Sequence, residues 1–163
     1  MNFNRILVAI NHSPLISIVF DQALNLAQQQ KVNLMILYCL VDVAEVEPII
    51  ESGATFGLYP TNAEFSRLMQ GEILQSEIQR AEAWLQEYCQ KATSLSIPTE
   101  YRLEISEPGA TICQVAQQWS ADLIILGRHD HSAITEFFIG SVSNHVIHQA
   151  SCSILVVKDH KSS

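Results

Sequence analysis

Apolar residues along this chain fall into two kinds of stretch that alternate from end to end. Short unbroken runs read RILVAI (5–10), VNLMILYCLV (32–41), ADLIILG (121–127) and CSILVVK (152–158). Runs of that length and continuity predict strands covered on both faces. A further segment, TEYRLEIS (99–106), alternates instead. Tyr101, Leu103 and Ile105 interleave with polar residues, which predicts an edge strand with one wet face.

The longer stretches carry helical spacing. Residues 15–30 place Val19, Ala23, Leu24 and Ala27 along one side. The turn NHSP precedes them, with Ser13 as a candidate cap and Pro14 as a candidate first helical residue. Residues 62–93 predict one long helix, whose apolar side is Phe65, Leu68, Met69, Ile73, Ile78, Ala81, Leu85, Tyr88 and Ala92. Gly71 is its weak point, at a cost of about 1 kcal/mol relative to alanine. Two shorter helices are predicted, from Gly109 to about Trp119 and over 140–149. Residues 42–61 have no clean period and contain Pro48, Gly53, Gly57 and Pro60, so a long, mobile loop is expected there. The polar tail 159–163 is expected to fray.

The resulting order is βαβαβαβαβ. It predicts an α/β fold: an open parallel sheet of five strands with helices on both faces and right-handed crossovers. No repeat or linker divides the chain, so 1–163 is read as a single domain of ordinary size.

Charge narrows the function. Nine basic against 17 acidic residues give a net charge of −8, which argues against nucleic acid and anionic lipid as partners. No apolar run approaches the ~18–20 residues of a membrane span, and the N-terminus lacks a secretory pattern, so a cytoplasmic protein is expected. Cys39, Cys89, Cys113 and Cys152 are far apart and form no CxxC pair, which fits packing roles in a reducing compartment.

The chemistry concentrates in GRHDHSAITEFFIGSVSN (127–144). Ligands of open parallel sheets bind beyond the carboxyl ends of strands where strand order reverses. Here those ends are Ala9-Ile10-Asn11 and Leu126-Gly127. Gly140 would allow a close backbone approach, and Ser141, Val142 and Ser143 would present first-turn amides and two hydroxyls to an anion. An ordinary helix cap explains the same residues.

The pattern resembles the universal stress protein family, whose nucleotide-binding members carry G-x-x-G, nine residues, then G-[ST]. Gly127, the nine residues 131–139, Gly140 and Ser141 match in register. ILVAINHSP resembles the family's opening and SVSNHVIHQASCSILVV its ending. The resemblance implies a Rossmann-like fold of the adenine nucleotide alpha hydrolase type, with strand order 3-2-1-4-5. It implies a homodimer joined through the last strand (152–158), with an unidentified regulatory protein as a further partner. It also implies a sensor or regulator that binds ATP or AMP. Base and ribose would lie near Ala9, Asn11 and Cys39. The phosphates would lie on Gly127, Gly140, Ser141, Val142 and Ser143, with Arg128 and His129 beside them.

Three positions depart from the family. Asn11 stands where an acid is usual, although its amide oxygen can still accept from ribose. Ser153 stands where proline is common. Asp130 replaces the second loop glycine. A carboxylate ~4 Å from a phosphate costs from about 1 to about 4 kcal/mol, depending on the effective dielectric. Arg128, His129 and His131 are placed to offset it, or Asp130 shares Mg²⁺ with the phosphates. Two other readings stay open: a dimeric interaction module that binds no nucleotide, and a slow ATPase. Bound nucleotide is expected to order 42–61 and alter a partner surface.

Other chemistry has less behind it. His129-Asp130-His131 offers no fixed metal geometry. His145 and His148 lie three apart on a helix beside a packed face. The nucleophile elbow, the P-loop and the dinucleotide fingerprint are all absent from the sequence.

Overall fold

The computed structural model describes residues 2–41, 63–128 and 140–158, without side-chain detail for 63–69. The expectations for the 42–61 loop, for His129, Asp130 and His131, for the 159–163 tail and for the burial of Phe65, Leu68 and Met69 lie outside the described residues. Elements follow in the order β1 (Arg5–Ile10), α1 (Ile16–Gln30), β2 (Asn33–Leu40), α2 (Ala63–Ser94), β3 (Thr99–Ile105), α3 (Pro108–Gln118), β4 (Leu123–Gly127), α4 (Ser141–Gln149) and β5 (Ser153–Val157). The strands form one sheet in the order β3-β2-β1-β4-β5, with every pairing parallel.

Both faces are covered, which explains the unbroken apolar runs. Along β1, Ile6, Val8 and Ile10 join the core beneath α1 and α2, whereas Leu7 joins the core beneath α3 and α4. Right-handed crossovers dictate that split: β1→β2→β3 moves one way across the sheet, and β3→β4→β5 moves the other. The strand β3 lies at an edge as its alternation predicts.

Two local readings need correction. Ser13 does not cap α1 through its side chain, and Pro14 is not helical: Leu15 holds the cap position. Ile16 N–H donates to the Ser13 carbonyl at 3.1 Å, and Ser13 N–H to the Asn11 carbonyl at 2.8 Å, so 11–16 form a tight backbone turn. Burial of Leu15 draws the helix start inward and overrides the polar cap. Ile73 is not part of a buried face; it is 54% exposed. The 32 residues of α2 extend about 48 Å, while the longest strand covers only about 27 Å. The helix enters from the carboxyl end of β2 and delivers the chain to the amino end of β3. Its first half therefore overhangs the carboxyl edge, and among its described side chains the fully buried ones, Ala81, Leu85 and Ala92, fall in the second half.

The amino edge is stitched shut. Asp122 Oδ2 accepts from the backbone N–H groups of Asn4 (2.7 Å) and Arg5 (2.9 Å). Arg5 Nη1 donates to the Trp119 carbonyl at 2.7 Å, and its guanidinium lies 5.5 Å from the Trp119 ring centroid. Trp119 Nε1 in turn donates to Glu100 Oε1 at 2.7 Å. Among the described residues no helix is long and apolar enough to cross a membrane.

Two glycines separate propensity from packing. A Cβ on Gly71 meets nothing within 4 Å, whereas one on Gly127 meets Val19 Cγ2 at 2.9 Å. Gly71→Ala is expected to raise stability by about 1 kcal/mol, because it removes only a helix-propensity penalty. Gly127→Ala is expected to lower it by about 1–3 kcal/mol, because a β-branched neighbour must shift. Urea denaturation of both variants checks the opposite signs.

Candidate functional site

Strand order reverses between β1 and β4, and the chain leaves these two strands toward opposite faces. Their carboxyl ends therefore flank a crevice. The register fixes what lines it. Ala9 pairs with Leu37 on one side and Leu126 on the other. Two residues further on, the same register sets Asn11 level with Cys39 and Arg128, and Cys39 pairs with Glu104. Four residues scattered over the sequence thus form one row across the carboxyl edge. Ala9, Cys39 and Val142 all pack against the apolar cluster beneath α3 and α4, so three of the expected site residues share that face.

At the β4 end, α4 begins with Gly140 as its cap residue, at φ −53° and ψ 154°. Lacking a side chain, Gly140 cannot satisfy the first-turn amides of Ser141, Val142 and Ser143, and helix geometry leaves them no intrahelical acceptor. The Gly140 carbonyl accepts the first helical bond, from Asn144 N–H at 2.9 Å. A Cβ on Gly140 would meet nothing within 4 Å. Amides and helix dipole together favour an anion there.

The two serines differ. Ser143 is 4% exposed, and its hydroxyl donates to the Gly127 carbonyl at 3.4 Å, tying α4 to the end of β4. Only its amide is left for an anion, while Ser141 stays exposed. Gly127 has a second duty as well, since its bare Cα lets Val19 of α1 approach. The Arg128 backbone N–H continues the sheet by donating to the Val157 carbonyl at 2.9 Å, and its Nε is sheltered from solvent.

At the β2 end, burial pushes the Cys39 thiol up to about 11, helped by the neighbouring carboxylates Glu104 and Glu107 and opposed by a hydrogen bond from Ser106. Cys39 is therefore a neutral thiol near pH 7 and a poor nucleophile. Asn11, exposed at the end of β1, offers a neutral amide in the same row.

Several residues here were invisible to sequence spacing. His12 stacks on Trp84 (centroids 4.1 Å apart, 29° between planes), and Tyr38 meets the His12 ring edge-on at 5.3 Å. These rings hold the turn after β1 against α2. Ser106 and Thr111 share a hydrogen bond at 2.8 Å across the β3–α3 turn. His145 lies over Gly109, where a Cβ would come within 3.1 Å of its ring, so it closes the α3–α4 contact. Among the described residues no three His, Cys, Asp or Glu side chains gather as a metal site.

A groove of about 260 Å³ lies at the opposite, amino edge, lined by residues including Arg5, Glu100 and Trp119. Its Arg5, Trp119 and Glu100 side chains already bond one another or the backbone, and it shares nothing with the row above.

The universal stress protein family model matches residues 2–158. The chain belongs to the universal stress protein family. The universal stress protein Sll1388 of Synechocystis is 35% identical over 97% of this chain and 99% of its own length. Among solved structures, the universal stress protein UspA of Lactobacillus plantarum superposes with a TM-score of 0.73 at 25% identity, covering 96% of this chain and 99% of its own. A family protein of Arabidopsis thaliana, solved with AMP bound, has a TM-score of 0.63 at 15% identity and covers 97% of this chain and 93% of its own. The family and the 3-2-1-4-5 sheet expected from the sequence are thereby established.

The raised Cys39 value has a measurable sign. The folded state favours the neutral thiol, so this group leaves stability unchanged below pH 9, its ordinary value, and subtracts from it as pH rises toward about 11. Alkylation of Cys39 in the native protein, followed by peptide mass mapping, is expected to be slow at pH 8 and to accelerate up to about pH 11. Rapid labelling at pH 8 would contradict the half-buried, acid-flanked position.

Proposed function

We propose that this chain is a cytoplasmic regulator that binds an adenine nucleotide, AMP or ATP, in the crevice between β1 and β4. The observation that carries this reading is the start of α4: three first-turn amides behind a glycine that cannot cap them, on a helix tied by Ser143 to the end of β4, whose neighbouring strand ends carry Asn11 and Cys39. The family relative with bound AMP supports the choice of ligand. Phosphate rests on 140–143, ribose meets Asn11, and the base lies against Ala9 and Cys39. Where ATP is the ligand, Asp130 shares Mg²⁺ with its phosphates. The protein binds and signals rather than turning substrate over, and its neutral Cys39 supplies no nucleophile.

The protein acts as a homodimer joined through β5, and a regulatory partner reads its ligand state. Support for the dimer comes from the sheet. The strand β5 is at the edge, and Ile154, Leu155 and Val156 are only half-buried. An edge of that kind offers open hydrogen-bonding groups to a second strand.

One observation favours a competing reading, a dimeric module without nucleotide: the Ser143 hydroxyl already bonds the Gly127 carbonyl, as a purely structural cap would. Calorimetric titration with AMP and ATP, with and without Mg²⁺, decides between them. Saturable binding is expected. Gly140→Ala is expected to weaken it at least about tenfold, equivalent to about 1.4 kcal/mol, while the fold persists, since the new methyl points into open space. No heat at millimolar nucleotide would overturn the proposal. Light scattering on the same samples is expected to give twice the monomer mass, and a monomer would remove the β5 interface.

A further inference from the structure

Two of the four cysteines stand apart from the carboxyl-edge row and share one place in the fold. The helices α3 and α4 both carry the chain from the carboxyl edge back to the amino edge, so they run in the same direction. Gly109, in the first turn of α3, lies against His145 of α4, and a Cβ there would stand 3.1 Å from His145 Cβ. One turn further along each helix, Cys113 comes level with Gln149, the last residue of α4. The chain then passes through a short turn to Cys152, which directly precedes β5. Cys113, Cys152 and Ile154 all pack against the apolar cluster beneath α3 and α4, so the Cys152 side chain lies on the side of the sheet that α3 covers.

Both thiols are half-buried. Burial pushes the Cys152 thiol up, charge on Cys113 and Asp122 pushes it further, and its own backbone N–H opposes them. Burial raises the Cys113 thiol with no charged group adding to it. The other two cysteines keep different company. Cys89 Sγ donates to the Thr99 carbonyl at 3.4 Å, and Cys39 sits with Ser106 and two carboxylates.

We propose that Cys113 and Cys152 form a dithiol that closes to an intrachain disulfide when the protein meets a peroxide and opens again with a thiol reductant. The Cys113 thiolate attacks one peroxide oxygen, the O–O bond breaks, and Cys113 becomes a sulfenic acid as water leaves. The Cys152 thiolate then attacks the Cys113 sulfur, the S–S bond forms, and the sulfenic oxygen departs as a second water. In sum, two thiols and one hydrogen peroxide give one disulfide and two waters, and the two electrons lost by the sulfurs reduce the peroxide. Repulsion between the two thiolates sets this order. Neighbouring thiols do not ionise together readily, and Cys113 has the fewer groups opposing it. Once Cys113 is a neutral sulfenic acid, its opposition to a charge on Cys152 is gone. Raised thiols react slowly at neutral pH, so the pair rests reduced and answers sustained oxidant, as transient disulfides of reducing compartments do. The closed bond spans β4 and α4 and fastens the chain after α4 to α3.

Trypsin leaves the four cysteines in four different peptides, with Cys113 in 103–128 and Cys152 in 129–158. The test treats the native protein with hydrogen peroxide, blocks the remaining thiols and maps the peptides without reduction. The expected result is a fall from four free thiols to two, with 103–128 linked to 129–158. A denaturing gel without reductant is expected to show single chains, and the melting temperature to rise until a thiol reductant reverses it. Cys152→Ser is expected to halt at a sulfenic acid on Cys113, trapped by dimedone, and Cys113→Ser to leave Cys152 as a free thiol. Should either variant fail to fold, the peptide map of the native protein decides alone. A link through Cys39 or Cys89, a link between chains, or four free thiols after millimolar peroxide overturns the proposal. So does oxidation of Cys113 in the native protein with Cys152 still free.

Discussion

A parallel sheet must be buried on both faces, and right-handed crossovers decide which helices cover which face. In this chain the connection direction reverses once, after β3. The reversal sends α1 and α2 to one face and α3 and α4 to the other, and it leaves β1 beside β4 with their exits diverging. No helix can cross that gap without reversing a crossover. The crevice is therefore a consequence of topology, and the residues at its rim are whatever the sequence places one or two positions past the strand ends.

The two edges of the sheet answer this constraint differently. At the amino edge, Asp122 accepts two backbone N–H groups, and Arg5, Trp119 and Glu100 lock to one another across three strands. At the carboxyl edge the fastenings are local. Ser143 ties α4 to Gly127, Ser106 ties the α3 turn to β2, and His12 rests on Trp84. None of these crosses from β1 to β4. Among the described residues, the fastenings that cross the sheet lie at its amino edge, below the place where topology puts the gap.

What could be read from the sequence follows the range of the interaction. Unbroken apolar runs and helical spacing are local, so the nine elements, their order and the edge position of β3 were legible. Family resemblance added the strand order, and the glycine-spaced motif pointed to Gly127, Gly140 and Ser141. The failures were cases where tertiary burial overrode a local preference. Leu15 entered the core and displaced Ser13 as a cap, and Ile73 kept helical phase on a stretch of α2 that extends past the sheet. The pairing of His12 with Trp84, and of Cys39 with Ser106, joins residues more than sixty positions apart. Such pairs appear only once the tertiary fold brings strand ends, turns and helices together.

Electrostatics gives the rim its character. With a net charge of −8, the field of the molecule as a whole opposes the approach of an anion to this rim. Backbone amides at the start of α4 oppose it locally, since their N–H groups carry fixed partial positive charge. Asn11 fits the same logic. An acid there would add one more negative charge to the rim, whereas an amide accepts from a hydroxyl and carries none. The carboxylates Glu104 and Glu107 stand instead at the far end of the row, around Cys39 and Ser106. Polarity thus runs along the crevice from amide donors at β4 to acidic acceptors at β3. A molecule that is anionic at one end and rich in N–H donors at the other matches that gradient in only one orientation.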